Sequence, residues 1–296
     1  MLTHTIEPRP PQLLLNGRQA IRNHGLPRGR ILRRNLISDP RQGYLLYLPR
    51  GVASEAARVL VTVHGISRNA EEQARAFMAD AEQNDTLLVA PIFDSARFRD
   101  YQRLGRAGRG PRSDLALQRI LREVALLTGA DCRRPDLFGY SGGGQFVHRY
   151  AFAHPLQVGK VVLGAPGWYS LPDPKRRFPY GTARCKGLPG IAFEAADYLR
   201  VPFYTLVGEL DHQRDDELNK SRRLDRRQGE QRIARGRNWI EAMRRAALRH
   251  GLATEYRLDL LPDADHSFSA CIDGGLSGRV FGFLSATSHG ESQTFD

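Results

Sequence analysis

Cysteine is scarce in this sequence: three residues in 296, Cys132, Cys185 and Cys271. The number is odd, and no CxxC pair or metal-ligand spacing occurs, which excludes a disulfide framework and a zinc module. Three free thiols are expected, with a Cys185–Cys271 bridge as the alternative in an oxidising compartment. Long apolar runs are missing too. The longest, such as Val59–Val63 and Thr86–Pro91, are strand-sized and fall far short of the ~18 apolar residues that a membrane helix requires. Nor is there the apolar stretch of a secretory leader: Leu13–Leu15 is a short patch among prolines and Glu7. The expected compartment is the cytoplasm.

Acidic residues are in deficit, 32 against 44 basic ones, for a net charge of +12. A charge of that sign attracts polyanions. The arginines are scattered, however, interleave with acids and never run five or six together. This is the pattern of a basic solvated surface, with no nucleic-acid partner expected. Nothing in the sequence sets an oligomeric state.

What is present is an alternation. After a Pro- and Arg-rich lead-in over residues 1–28, strand and helix patterns take turns. Ile31–Ile37 and Tyr44–Leu48 read as antiparallel edge strands. Arg58–Val63 (RVLVTV) and Thr86–Phe93 are apolar and β-branched, as buried strands are. Ala70–Asp85 predicts a helix. Ser113 is a fitting N-cap for a helix over Asp114–Leu127. Asp136–Tyr140 and Gly159–Leu163 read as strands around a Gly142–His154 helix. Val201–Val207 and Ala253–Leu258 are further strands, with helices at Ile233–His250 and Leu276–Leu284. Ala165–Leu199 interrupts the order with five prolines, a basic triplet (Lys175, Arg176, Arg177) and several aromatics, and reads as an inserted cap. Such alternation predicts one α/β domain over residues 29–296, with a mostly parallel sheet covered on both faces.

The feature that points to chemistry is Gly139-Tyr140-Ser141-Gly142-Gly143, a G-x-S-x-G pattern. Alone it recurs by chance in roughly one chain in ten of this length. Here a strand runs into it and a helix runs out, the setting of a nucleophile elbow. Glycines flank the serine because so sharp a turn leaves no room for Cβ atoms. The hydroxyl would then project at the sheet edge, with the following helix N-terminus aimed at a developing oxyanion.

A serine hydroxyl needs a base. His266, in a polar turn after the last predicted strand, is the candidate. The imidazole needs a carboxylate in turn. Asp211, just past the strand Val201–Val207, is preferred. Glu209 is its rival, and Asp215 and Asp216 are more remote. The chain order Ser, Asp, His is the one α/β-hydrolases use. His64-Gly65-Ile66 follows a buried strand, so the amide of Ile66 would donate to the oxyanion beside that of Gly142. His64 ends that strand far upstream of the acid and reads as structural, as does His148 on the helix behind Ser141. Trp168, Tyr169, Phe178 and Tyr180 of the cap, with Tyr140, are candidates to line a substrate pocket or else to pack the cap down. Arg106, Arg109 and Arg112 read as a solvated loop, or as holding an anionic substrate group.

The segments VTVHGIS, FGYSGGG, LVGELD and DADHSF resemble the α/β-hydrolase superfamily. Within it the HG-x loop and the HSF context are loosely similar to polyester depolymerases and feruloyl esterases. The resemblance, from about Arg58 to His266, implies an eight-stranded, mainly parallel sheet with helices on both faces and a short cap at about residues 165–199. It also implies Ser–His–Asp acyl transfer without metal or cofactor. The expected function is carboxylic-ester hydrolysis on a small-molecule ester or acyl substrate. The alternatives are a thioesterase or amidase on the same residues, or a non-catalytic relative that only binds.

Overall fold

The computed structural model describes residues 25–51 and 53–286. The expected lead-in lies outside them as far as residue 24. Eight strands form one sheet: β1 (Ile31–Leu36), β2 (Asp39–Tyr47), β3 (Arg58–Val63), β4 (Thr86–Pro91), β5 (Asp136–Tyr140), β6 (Val161–Gly164), β7 (Phe203–Gly208) and β8 (Tyr256–Leu261), in the order β1-β2-β4-β3-β5-β6-β7-β8. β1 and β2 join antiparallel at one edge, and β3 to β8 are parallel. β4, β5, β6 and β7 are buried along their whole length. Strands covered on both faces need no polar alternation, which is why they read as continuous apolar runs.

Helices cover both faces: α1 (Ala70–Ala76), α2 (Met78–Gln83), α3 (Ser113–Thr128), α4 (Gly142–Ala153), α5 (Ala195–Tyr198), α6 (Arg222–Gln228), α7 (Arg232–Arg249), α8 (Phe268–Asp273) and α9 (Leu276–Ser285). Alternate residues of a strand serve opposite layers. Val59, Val61 and Val63 pack with Ile120, Phe146 and Trp239 of α3, α4 and α7. Leu60, Phe138 and Val162 pack with Phe77, Val280 and Phe281 on the other face. Among the described residues no helix is long and apolar enough to cross a membrane.

Several boundaries differ from the sequence reading. The single helix expected over Ala70–Asp85 is broken at Phe77, whose ring is buried against Phe138. Ser113 is not an N-cap: it is the first helical residue, and its hydroxyl donates inward to Tyr101 O. The last strand begins at Tyr256 rather than Ala253. Between Gly164 and Ala195 there is no named helix or strand, only turns and a bridge between Arg177 and Ala183. All three cysteines are free, so Cys185 and Cys271 do not pair.

Parallel register gathers the strand ends. Val63 pairs with Gly139, Tyr140 with Gly164, and Gly208 with Leu261. The connections after β3, β5, β7 and β8 therefore leave the sheet at one edge, the edge where sites form in such sheets.

Candidate active site

Ser141 stands between β5 and α4 with φ 50° and ψ −110°, a sparsely populated conformation for a residue with a side chain. Close approach of backbone on both sides enforces it. A Cβ on Gly139 would lie 2.3 Å from the Gly143 carbonyl, and one on Gly143 would lie 2.0 Å from Val63 O. Neither position admits a side chain, so the elbow depends on both glycines. The Ser141 amide is itself anchored to Gly164 O at 2.6 Å.

Ser141, His266 and Asp211 come together in a hydrogen-bonded line. His266 Nε2 lies 3.2 Å from Ser141 Oγ, and His266 Nδ1 lies 2.9 Å from Asp211 Oδ2. A carboxylate only accepts, so Nδ1 carries the proton and the Nε2 lone pair faces the hydroxyl. The acid loop and the base loop are stitched together by Glu209 N donating to Leu261 O and Leu210 N donating to Ala264 O, both at 2.8 Å. Glu209, the rival acid, is exposed, while Asp211 is buried.

The buried acid is held from behind. Arg232, the first residue of α7, is buried and donates to Asp211 Oδ1 at 3.1 Å and to both oxygens of Asp215 at 2.7 and 3.0 Å. The hydrogen bond from Arg232 holds the Asp215 carboxyl below the usual carboxylate range. Nothing in the sequence marks Arg232 as buried: it follows the charge-rich run from His212.

Tyr140, a candidate pocket residue in the sequence, is buried against His266. Its hydroxyl donates to His266 O at 2.8 Å, and its ring stacks on the imidazole at 5.7 Å, so it braces that side chain. Its phenol is pushed well up by burial. Beside it Cys271 is buried, which raises the thiol to about 11 and keeps it protonated. Tyr169 is likewise a correction: wholly buried, it stacks on Trp239 at 4.8 Å and belongs to the core. Phe178 is buried and stacks on Phe193. Trp168 is also buried, between the guanidinium groups of Arg103 and Arg149 and the ring of Tyr180. These aromatics pack the 165–194 segment down.

Ile66 is partly exposed, and a Cβ on Gly142 would fall 2.8 Å from its Cγ2, so the two residues border the same space beside Ser141. His64 is structural: Nδ1 donates to Gly65 O at 2.8 Å, and Nε2 accepts from Phe93 N at 3.1 Å. Burial lowers its pKa to about 4. His148 is tied in the same way to Gly144 O and Ser170 N. Arg106 is paired with Asp100 and Arg112 with Asp114, while Arg109 is exposed. Among the described residues no group of three His, Cys, Asp or Glu side chains is arranged to ligate a metal ion. A surface cavity of about 940 Å³, lined by Leu121, Ala125, Cys132 and Leu156, lies at the opposite sheet edge.

No protein-family model matches the sequence, and no curated protein matches it. Solved structures do. Poly(aspartic acid) hydrolase-1 of Sphingomonas sp. KT-1 is 25% identical at a TM-score of 0.69, over 81% of this chain and 93% of that one. The poly(3-hydroxybutyrate) depolymerase of Bordetella parapertussis is 28% identical at 0.68, over 87% and 95%. An S-formylglutathione hydrolase of Agrobacterium tumefaciens, 15% identical at 0.58 over 86% and 93%, shares the fold.

Proposed function

We propose, on the premise that this chain has the α/β-hydrolase fold and is an enzyme with hydrolase activity, that it cleaves carboxylic esters through Ser141, His266 and Asp211. The supporting observation is the continuous line from Asp211 Oδ2 through the imidazole to Ser141 Oγ, with links of 2.9 and 3.2 Å. Further support comes from the neighbour at 28% identity, named a poly(3-hydroxybutyrate) depolymerase, whose polymer is a polyester; the neighbour at 25%, named for poly(aspartic acid), a polyamide, supports acyl transfer without favouring esters.

In this mechanism Ser141 Oγ forms a bond to the ester carbonyl carbon as its proton passes to His266 Nε2. Asp211 fixes the tautomer and stabilises the imidazolium. The amides of Ile66 and Gly142 receive the oxyanion. Each such donor is typically worth about 3 kcal/mol of barrier. The C–O bond to the alcohol then breaks, and the imidazolium protonates the leaving oxygen. Water, deprotonated by His266, releases the acid and restores Ser141.

A panel of p-nitrophenyl esters, acyl thioesters and peptide amides tests this with the wild type and Ser141→Ala. Ester turnover that falls roughly 10⁴-fold or more in the variant is expected. Equal turnover of every substrate by both proteins contradicts the assignment.

A further inference from the structure

The turn over Tyr101–Arg103 stands against the start of α4. A Cβ on Gly142 would come 2.7 Å from Tyr101 Oη and 3.3 Å from Gln102 Nε2. Four arginines gather here, one of them, Arg103, in the turn itself. Arg149, wholly buried, donates Nη1 to Gln102 O at 2.7 Å and to Gln145 Oε1 at 3.3 Å, and Nε to Ser170 Oγ at 3.0 Å. Its Nη2 has no partner. The guanidinium lies 4.1 Å over the Trp168 ring, and that of Arg103 lies 5.4 Å over the same ring. Arg103 and Arg106 share Asp100, at 3.2 and 2.8 Å. Arg68 lies 4.4 Å over the Tyr101 ring and donates to the carbonyls of Phe93 and Phe98.

Four cations thus meet one hydrogen-bonded carboxylate, Asp100, with Asp94 acting on Arg68 from further away. The surplus is two positive charges, four less two. A buried cation without a carboxylate is costly, because charge taken out of water needs an opposite charge to offset the loss. Arginine does not escape by losing its proton. The side-chain amides of Gln102 and Gln145, beside Gly142 and Gly167, match this sign. A guanidinium only donates, so the Gln145 atom it holds is the oxygen, and Nε2 keeps both of its N–H groups. That Nε2 lies on the Gly167 side, 3.3 Å from where a Cβ on Gly167 would stand.

We infer that this flank of Ser141 is a subsite for a carboxylate carried by the substrate, with Gln102 and Gln145 as donors, Arg103 and Arg106 at the part-exposed rim, and Arg149 as the fixed charge behind them. The inference rests on the ester-hydrolase proposal and narrows it to esters whose acyl group bears an acid. Charge-assisted hydrogen bonds to such a group are short and strong. Leaving the group out forfeits them.

The experiment compares kcat/KM for p-nitrophenyl hemiadipate with that for p-nitrophenyl hexanoate, which lacks only the terminal acid. In the wild type at low salt the anionic ester is favoured roughly tenfold or more. The ratio falls toward one in about 0.5 M NaCl, and it falls in Arg103→Gln. Arg149→Lys, which keeps the charge, retains more of the ratio than Arg149→Met, both checked for folding by circular dichroism. A wild-type ratio at or below one overturns the subsite, and so does a ratio unchanged in folded Arg103→Gln and Arg149→Met. Loss of hexanoate turnover in Ser141→Ala keeps the ester proposal standing in either case, so the two ideas fail separately.

Discussion

The two flanks of Ser141 hold charge in opposite ways. On the flank of Asp211 and His266 the buried charges are paired: Asp211 lies between His266 and Arg232, and Arg232 between Asp211 and Asp215. On the other flank Arg68 and Arg149 spend their hydrogen bonds on carbonyls and hydroxyls, and Arg103 and Arg106 divide one carboxylate. The first arrangement balances its buried charges without substrate, although Arg232 Nε donates to nothing. The second is one that an anion completes. The difference teaches that burial alone does not define a residue's role; what a buried charge lacks is as informative as what it touches.

The contrast can be broken on its paired side first. Asp211→Asn presents an amide to Nδ1 and favours the wrong tautomer, and kcat is expected to fall roughly 10⁴-fold. A folded variant with near-normal turnover would remove Asp211 from the line. Arg232→Met leaves Asp211 Oδ1 without its donor. Groups that orient a catalytic side chain commonly contribute about 10–100-fold, so a loss of that size in kcat with KM nearly unchanged is expected, partly restored in Arg232→Lys. A raised KM at normal kcat would instead place Arg232 in substrate binding.

The smallest expected effect is on stability, and it sharpens the contrast from the arginine flank. His64 lies beside Tyr101 there, 5.3 Å between ring centroids. Burial first, and Arg68 among the lesser causes, hold its pKa down at about 4 rather than 6.5. The folded form resists protonation and the unfolded chain does not, so this contribution is intact above pH 6.5 and is lost as the pH falls toward 4, in total about 3 kcal/mol. His64→Gln should therefore show a flatter dependence of the denaturation midpoint on pH across that window. An unaltered slope would mean the imidazole is already charged in the folded protein.

Much of the fold was legible because its strands are short apolar runs between turn residues, and because parallel strands buried on both faces leave so plain a trace. That Ser141, Asp211 and His266 would meet was legible from the glycines around the serine and from the places of the other two after the strands now seen as β7 and β8. Pattern reasoning failed where a residue type was used against its habit. Arg149, Arg232 and Arg235 are fully buried, yet arginine in an amphipathic stretch reads as surface. Tyr140 and Tyr169 were candidates for a pocket because aromatics beside a site fit both roles. Their hydroxyl and stacking partners, which lie far away in the chain, decide between the two. The break at Phe77 depends on a contact with Phe138 that no local pattern carries.

The proposed chemistry requires one hydroxyl, that of Ser141, to be uniquely reactive. Labelling with a fluorophosphonate, read by intact-protein and peptide mass spectrometry, should place a single adduct on Ser141, absent from Ser141→Ala and formed at least roughly 100-fold more slowly in His266→Ala. Adduct formation at the wild-type rate in His266→Ala, or on a residue other than Ser141, would contradict it.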